Sequence, residues 1–261
     1  MTDDVVVYEG RGPAAWLTIN RPDRRNALSG EVIEGLIAGL ERAAVDPEPR
    51  VVVLTGAGDR AFCAGADLTS TMAPQEGRVD RHEQRARIGR LLIDIGRHPK
   101  PVVARVNGVA LAGGFGLMMD CDLVVAADDT EFGTPEINLG LWPFMISAVI
   151  ARNIPRKVAL EMMMTGRRYS AAEAERWGMV NRVVPRAELD GAVEDLVATL
   201  ASKSSLVLRL GKGSFGRLDD MGFEAALQYL NAMLTVDLES EDVVEGVGAF
   251  LDKRTPQWKG R

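Results

Sequence analysis

Three short segments of the 261-residue chain carry residue types that can do chemistry. The first, Phe62–Leu68, and the second, Asn107–Gly114, are rich in glycine and alanine, so a ligand can approach the backbone and N–H groups stay free to donate. The second leads into a helical pattern over Phe115–Asp120, and a helix N-terminus favours a developing negative charge. Because each segment follows a predicted buried strand, the two together predict a pair of amide donors for an oxyanion.

A lone carboxylate in an apolar setting marks the third segment. Glu136 stands in the run Phe132–Ile137 and is followed by Leu139, Leu141 and Trp142. Burial in such surroundings would raise its pKa and make it a usable acid or base. The alternative is a carboxylate at a helix start that only supports the cap.

The elements that must position these segments alternate between strand and helix in the first half of the chain. Ser29 is the predicted N-cap of a helix over Gly30–Val45. The predicted strands are Val5–Tyr8, Ala15–Ile19, Val51–Thr55, Val102–Val106 and Leu123–Ala126. Val51–Thr55 is a run of mainly β-branched residues, which is typical of a strand buried on both faces, and the last two strands are interpreted in the same way.

The second half is helical in pattern. Ser170 and Glu173 form a capping box at the start of one predicted helix. The other predicted helices are Pro155–Met164, Leu189–Ala201, Phe223–Thr235 and Ser240–Phe250. The fold class is therefore α/β, and we expect a core over residues 1–195 and a helical region over 196–261 that packs on the core and on a neighbouring subunit.

Composition excludes several classes of protein. The formal charge of −6, from 31 basic and 37 acidic residues, disfavours a general nucleic-acid binder. Cys63 and Cys121 stand in apolar or small-residue runs and are expected to be buried and reduced, while His82 and His98 are isolated, so no metal site is expected. An acidic N-terminus without a signal-like pattern, and no apolar run of about 18 residues, favour a cytoplasmic protein without membrane contact.

The run Gly56–Ala61 matches the G-x-G-x-x-G/A pattern of dinucleotide-binding proteins. That pattern also needs a helix at its third small residue and an acidic residue at the end of a second strand. Gly65 and Pro74 interrupt any such helix, and Glu76 and Asp80 stand in a polar stretch without a strand. A plain turn after the strand is the better interpretation.

The chemical segments, in their order, resemble the enoyl-CoA hydratase/isomerase (crotonase) superfamily. Arg21–Leu28 resembles its R-P-x-x-x-N-A-L element, and Phe62–Leu68 its F-x-A-G-A-D-L loop. Asn107–Gly114 resembles N-G-x-A-x-[GA]-G-G, and Phe132–Glu136 resembles F-x-x-P-E. Gly166–Ala171 and Phe250–Arg254 also match, so the likeness runs from about residue 5 to the C-terminus.

The resemblance implies a spiral of ββα units with a C-terminal helical trimerisation region, assembled as a trimer or a dimer of trimers. It also implies an acyl-CoA thioester as substrate and no separate cofactor, since coenzyme A is part of the substrate. By family likeness the amides of Ala64 and Gly113 would hold the thioester oxygen, and Glu136 would be the acid or base.

Residues expected to contact coenzyme A also follow from the resemblance. Three would line the adenine pocket, namely Ala66, Asp67 and Leu68. Arg25 and Ala27 would lie close to the pantetheine and the phosphates, and Phe250 and Lys253 would approach the coenzyme A of a neighbouring subunit. The span Thr69–Ile95 would form the lid that sets acyl length.

Two departures from the family pattern bear on the reaction. Hydratases of the family carry two glutamates, and the position of the first is occupied here by Gly116. Asp120 follows four residues later on the same helix face, about 6 Å further along the axis, and would substitute only for a deeper or tilted substrate. A lone base suits a proton shuttle, as in the family's 3-enoyl to 2-enoyl-CoA isomerases. Leu141–Met145 replaces a usually glycine-rich stretch, so the acyl pocket is expected to be reshaped.

The sequence leaves several functions open. A hydratase or isomerase of enoyl-CoA with Glu136 as acid or base is the leading hypothesis. A catalytically weak acyl-CoA-binding protein is the alternative from another class, and a thioesterase, decarboxylase or dehalogenase on the same scaffold is a lesser one. A Clp-type serine protease would need a Ser-His-Asp set, and neither His82 nor His98 stands in a suitable motif.

Overall fold

The computed structural model describes residues 4–67 and 77–261, and ten strands lie within these ranges. The strands are β1 Val6–Arg11, β2 Ala14–Ile19, β3 Val51–Gly56, β4 Ala61–Cys63, β5 Val102–Val106, β6 Val109–Leu111, β7 Leu123–Ala127, β8 Glu131–Gly133, β9 Arg168–Ser170 and β10 Arg182–Val184. They form a six-stranded sheet in the order β1-β2-β3-β5-β7-β10 and a four-stranded sheet in the order β4-β6-β8-β9.

Helices cover the sheets and make up most of the chain after residue 140. Those within the described residues are α1 Gly30–Val45, α2 Arg78–Gly96, α3 Gly113–Met119, α4 Phe144–Asn153, α5 Arg156–Thr165, α6 Ala171–Arg176, α7 Leu189–Ala201, α8 Ser205–Phe215, α9 Phe223–Leu238 and α10 Glu241–Leu251. A short 3₁₀ helix, Pro135–Leu139, follows β8.

From β3 to β8 the chain winds as a spiral of ββα turns, because successive strands go alternately to the large and the small sheet. β3, β5 and β7 are parallel neighbours in the large sheet, while β4, β6 and β8 are parallel neighbours in the small one. The carboxyl ends of β4, β6 and β8 therefore meet at one edge. The three chemical segments leave the small sheet at that edge, so the expected α/β spiral is what brings them together.

The continuous apolar strands are explained by two hydrophobic layers. Val52 and Leu54 of β3 belong to the layer that α1 covers, whereas Val51 and Val53 belong to the layer that contains Leu189 and Val193 of α7. Both faces of the strand are thus removed from water, which is the usual reason for a strand without polar alternation.

Several local predictions are confirmed. The Ser29 side chain accepts a hydrogen bond from the Val32 amide at the start of α1, and Ser170 and Glu173 form the capping box of α6. The helix predicted at Phe115 begins two residues earlier, at Gly113. Helices α4 and α8 were not predicted, and the division proposed at residue 195 falls inside α7.

Two buried asparagines hold the turn that connects β3 to β4. Asn26 donates from Nδ2 to the carbonyls of Ala57 (3.0 Å) and Ala61 (2.7 Å), and its Oδ1 accepts from the Arg21 amide (3.0 Å). Asn107 donates in the same way to Gly56 (2.7 Å) and to a further carbonyl of the turn. Asn26 has φ of +54°, a left-handed conformation that asparagine tolerates better than most residues.

Asn26→Ala is expected to lower the free energy of unfolding by about 3 kcal/mol, because it removes three hydrogen bonds at a fully buried site. Urea unfolding followed by circular dichroism measures the change. The matched control is Asn153→Ala, since Asn153 is exposed and its amide bonds only to the carbonyl of Val149 within α4. Equal losses in the two variants would contradict the role given to Asn26.

Candidate active site

The loop after β4 lies against the first turn of α3, and glycines make this approach possible. A Cβ atom on Gly65 would stand 2.6 Å from the Cβ of Ala112 and 3.2 Å from the Gly113 nitrogen. A Cβ on Gly114 would stand 2.1 Å from the carbonyl oxygen of Cys63. Gly65 also has φ of +94°, which side chains rarely adopt. Larger residues at these positions would push the loop and the helix apart.

Backbone pairing decides which amides of the loop are free. The Ala64 amide donates to the Arg25 carbonyl (3.1 Å), so it is not available to a ligand. The Leu28 amide donates to Gly65 (2.8 Å) and the Leu28 carbonyl accepts from Asp67 (2.9 Å). Ala66 lies between these two contacts and forms an isolated β-bridge with Leu28. In this pairing the Ala66 amide points away from Leu28.

The amide that faces α3 is therefore that of Ala66, and the expectation for Ala64 is corrected by its bond to Arg25. A Cβ on Gly113 would lie 3.8 Å from the Ala66 nitrogen, so the two backbones are neighbours. Within the described ranges, neither the Ala66 amide nor the Gly113 amide has an acceptor. Gly113 is also the first residue of α3, where helical amides have no partner and the dipole is positive.

Ala112 holds the start of α3 in a strained conformation. Its φ of +52° with ψ of −128° is unusual for a residue with a side chain and costs about 1–3 kcal/mol. Two hydrogen bonds maintain it: the Ala112 amide donates to Gly133 (2.8 Å), and its carbonyl accepts from Gly116 (3.1 Å). This strain turns the chain directly from β6 into the helix whose first amide belongs to the site.

Glu136 is linked to the start of α3 through β8. Gly133, the last residue of β8, accepts the Ala112 amide, and Glu136 follows three residues later in the 3₁₀ helix. Its Oε2 is buried and, among the described residues, has no hydrogen-bond partner. Burial raises the pKa of the Glu136 carboxyl above its ordinary value, while a hydrogen bond from its own amide acts in the opposite direction.

Thr134, two residues before Glu136, is a buried polar residue that the sequence interpretation did not single out. It is fully buried between β8 and Glu136, and its hydroxyl has no hydrogen-bond partner in the described part of the chain. Nothing in the sequence distinguishes it from other threonines.

Asp120 lies away from the paired amides. It follows the last residue of α3, about 10 Å along the axis from Gly113, and the Gly96 amide at the end of α2 donates to its carboxylate. Burial raises the pKa of Asp120 to about 7, the neighbouring Asp122 adds to the rise, and Lys212 and Arg152 oppose it. Asp120 is therefore a buried carboxyl of the α2–α3 junction.

A polar cleft of about 450 Å³ opens beside the turn between β3 and β4. Arg25, Arg60 and Asp59 line it, and the carbonyl of Arg25 is the one that binds the Ala64 amide. The sequence interpretation did not include Arg60 among the binding residues. Its position immediately before the apolar strand β4 could have indicated it. Through Arg25, whose carbonyl binds Ala64, the cleft adjoins the loop after β4.

The other residues expected to contact coenzyme A have different surroundings. Asp67 is buried, and its carboxylate pairs with Arg21 (2.9 Å), which also donates to the Ala27 carbonyl (2.8 Å). This ion pair ties the loop after β4 to the segment before α1. Leu68 lies outside the described residues.

The structure does not bring Phe250 and Lys253 into the site of the same chain. Phe250 is 82% exposed at the end of α10, and Lys253 follows it with φ of +54°. Other large apolar side chains are exposed on α9 and α10, namely Phe223, Leu227, Leu234, Val236, Leu238, Val244, Val247 and Leu251.

Comparison with known proteins identifies the family. A sequence profile described as enoyl-CoA hydratase/isomerase matches residues 11–261. The human mitochondrial enoyl-CoA hydratase domain-containing protein 3 is 36% identical over 245 residues, covering 93% of this chain and 79% of the relative. The carnitinyl-CoA dehydratase of Salmonella enteritidis is 35% identical over 255 residues, covering 96% of both chains.

Comparison with solved structures leads to the same family. An enoyl-CoA hydratase from Mycobacterium smegmatis has a TM-score of 0.92 at 36% identity, covering 97% of this chain and 98% of the other. An enoyl-CoA hydratase from Bacillus anthracis has a TM-score of 0.93 at 32% identity, covering 98% and 100%. The chain belongs to the enoyl-CoA hydratase/isomerase family and has the α/β crotonase fold.

Metal clusters and membrane-spanning helices are both absent from residues 4–67 and 77–261. No group of three or more His, Cys, Asp or Glu side chains in these ranges is placed to hold a metal ion. None of the helices there combines the length and the apolar character that crossing a bilayer requires.

Asp120→Asn is expected to stabilise the protein above pH 7. The folded-state pKa of about 7 exceeds the ordinary value of 3.8, so the folded protein binds the extra proton and loses stability as the pH rises from about 4 to 7. The amide removes that penalty, giving a gain of about 1–4 kcal/mol at pH 8 and little change at pH 4.

Thermal unfolding of both proteins across this pH range measures the difference. Asp195→Asn is the control, because Asp195 is exposed on α7. A gain for Asp120→Asn that is the same at pH 4 and pH 8 would show that Asp120 is ionised throughout.

Proposed function

We propose that the chain is an enoyl-CoA isomerase that converts 3-enoyl-CoA to 2-enoyl-CoA through an enolate. The observation that carries the proposal is the pair of neighbouring amides of Ala66 and Gly113, which have no acceptor among the described residues, together with the half-buried carboxyl of Glu136, whose Oε2 has no partner there. Membership of an enoyl-CoA hydratase/isomerase family supports an acyl-CoA thioester as the substrate.

The chemistry assigned to each group follows from its position. The two amides donate to the thioester oxygen and stabilise the negative charge that develops there, a contribution of several kcal/mol in a dry site. The Glu136 carboxylate takes a proton from C2, and the electron pair moves onto the thioester oxygen. The protonated Glu136 then returns the proton to C4, so the double bond moves from C3–C4 to C2–C3 without a net gain of atoms.

The raised pKa of Glu136 suits this shuttle. A carboxylate that is poorly solvated is a stronger base than a free glutamate, and it keeps the proton long enough to return it. One group performs both transfers, and a second carboxylate is not needed.

Hydration of 2-enoyl-CoA is the second candidate, because solved relatives of high TM-score are described as enoyl-CoA hydratases. Glu136 would then have to orient the water and also protonate C2. Dehydration is the reverse of that step, and the Salmonella enteritidis relative is described as a carnitinyl-CoA dehydratase.

Binding of coenzyme A is assigned to the polar cleft and to a neighbouring subunit. Arg25 and Arg60 would pair with the phosphates, since guanidinium groups bind phosphate through two donors at once. The exposed apolar side chains of α9 and α10 would be covered in a trimer or a dimer of trimers, which would carry Phe250 and Lys253 towards the coenzyme A of the next subunit.

Glu136→Gln is expected to lower kcat for 3-hexenoyl-CoA by at least about 100-fold while the Kd for the acyl-CoA changes little, because the amide cannot accept the proton. Wild-type kcat/KM should fall as the pH decreases, with its inflection above the ordinary glutamate pKa of 4.5, since the base must be ionised. Product analysis by mass spectrometry measures kcat and kcat/KM, and calorimetry measures the Kd for the acyl-CoA.

Glu131→Gln is the matched control, because Glu131 is an exposed carboxylate of β8 that pairs with Arg168 (3.0 Å). Tight acyl-CoA binding by a wild-type protein that turns over neither 3-hexenoyl-CoA nor crotonyl-CoA would instead support an acyl-CoA-binding protein.

A further inference from the structure

We propose that Ile146 is a specificity-determining residue that keeps a second polar group out of the site and so favours proton transfer over water addition. This role rests on the proposed function. The packing contact that selects the reaction is the one between Ile146 and Gly116.

The contact is between α4 and α3. A Cβ atom on Gly116 would stand 2.1 Å from Cγ2 and 2.5 Å from Cβ of Ile146, distances that real atoms do not reach. Ile146 is 4% exposed, so its side chain has no open space to move into. While Ile146 holds this position, residue 116 must be glycine.

The space that a side chain at position 116 would occupy faces the amides of Ala66 and Gly113. Helical Cα–Cβ bonds tilt towards the N-terminus, so a side chain at position 116 would point back to the first turn of α3, where Gly113 lies on the same face. Ile146 fills that volume with methyl groups. A water molecule beside the amides therefore meets a hydrocarbon wall from α4 and has no polar group of α3 to orient it.

A second glycine contact joins α4 to α2. The Cε atom of Met145 lies 2.9 Å from where a Cβ on Gly89 of α2 would stand. Consecutive residues of α4 thus fill glycine positions on two different helices.

The test exchanges the two residues. Gly116→Glu places a carboxylate on α3 but collides with Ile146, whereas Gly116→Glu/Ile146→Gly removes both colliding atoms. Gly116→Glu/Ile146→Ala is the matched control, because alanine keeps the Cβ that would lie 2.5 Å from the new side chain. Val149→Gly, at another buried position of α4, controls for loosening of the helix.

The first readout is the ratio of hydration to isomerisation. Purified variants receive 2-hexenoyl-CoA or 3-hexenoyl-CoA in ¹⁸O-water, and mass spectrometry quantifies labelled 3-hydroxyacyl-CoA and the isomerised enoyl-CoA. The Gly116→Glu/Ile146→Gly variant is expected to raise the ratio at least about 10-fold over wild type, since a second acid–base group typically contributes that much or more. The alanine control and Val149→Gly are expected to stay within about 3-fold of wild type.

The second readout is thermal unfolding, which does not depend on activity. Gly116→Glu is expected to lower Tm by more than about 5 °C, and Ile146→Gly in the same chain to recover at least half of that loss. A Gly116→Glu variant that unfolds at the wild-type temperature, or a folded double variant with the wild-type ratio, would overturn the role of Ile146. Wild-type protein that hydrates faster than it isomerises would overturn it as well.

Failure of the proposed function gives a different result. If wild-type protein turns over neither substrate, both the isomerase assignment and the specificity role are wrong, while the Tm values still decide whether Ile146 excludes a side chain at position 116.

Discussion

The candidate site depends on one close backbone contact, between the loop after β4 and the first turn of α3. The contact exists because Gly65 and Gly114 have no Cβ atoms that would meet Ala112 and the Cys63 carbonyl. It places the amides of Ala66 and Gly113 side by side, neither with an acceptor among the described residues, and the positive end of a helix adds to their field. A charge that develops between them is stabilised without any rearrangement of the protein, which is the physical requirement for an oxyanion site.

The spiral explains why this contact and the carboxylate coincide. Each ββα turn adds one strand to the small parallel sheet, so the chain leaves β4, β6 and β8 at the same edge. The bond from Ala112 to Gly133 then joins the amide segment to the segment that carries Glu136. Burial at this edge strengthens the hydrogen bonds of the amides and raises the pKa of Glu136 for one and the same reason, the loss of competing water.

Much of this arrangement could be predicted from local patterns, and the rest depends on contacts between distant residues. Ser29 and Ser170 could be recognised as caps because capping involves neighbours along the chain. The choice between Ala64 and Ala66 could not be made correctly, because it depends on pairing with Arg25 and Leu28, almost 40 residues earlier in the chain. Periodicity gave no sign that Ile146 meets Gly116, since only the packing of α4 against α3 creates that contact.

A crystal structure with a stable acyl-CoA analogue would test the amide pair most directly. The thioester oxygen is expected within about 3 Å of the nitrogens of both Ala66 and Gly113, with the Glu136 carboxylate facing C2 of the acyl group. The Ala64 amide should remain bonded to Arg25, as it is without ligand. A thioester oxygen bound by the Ala64 amide, with its bond to Arg25 broken, would contradict the assignment and restore Ala64 as the second donor.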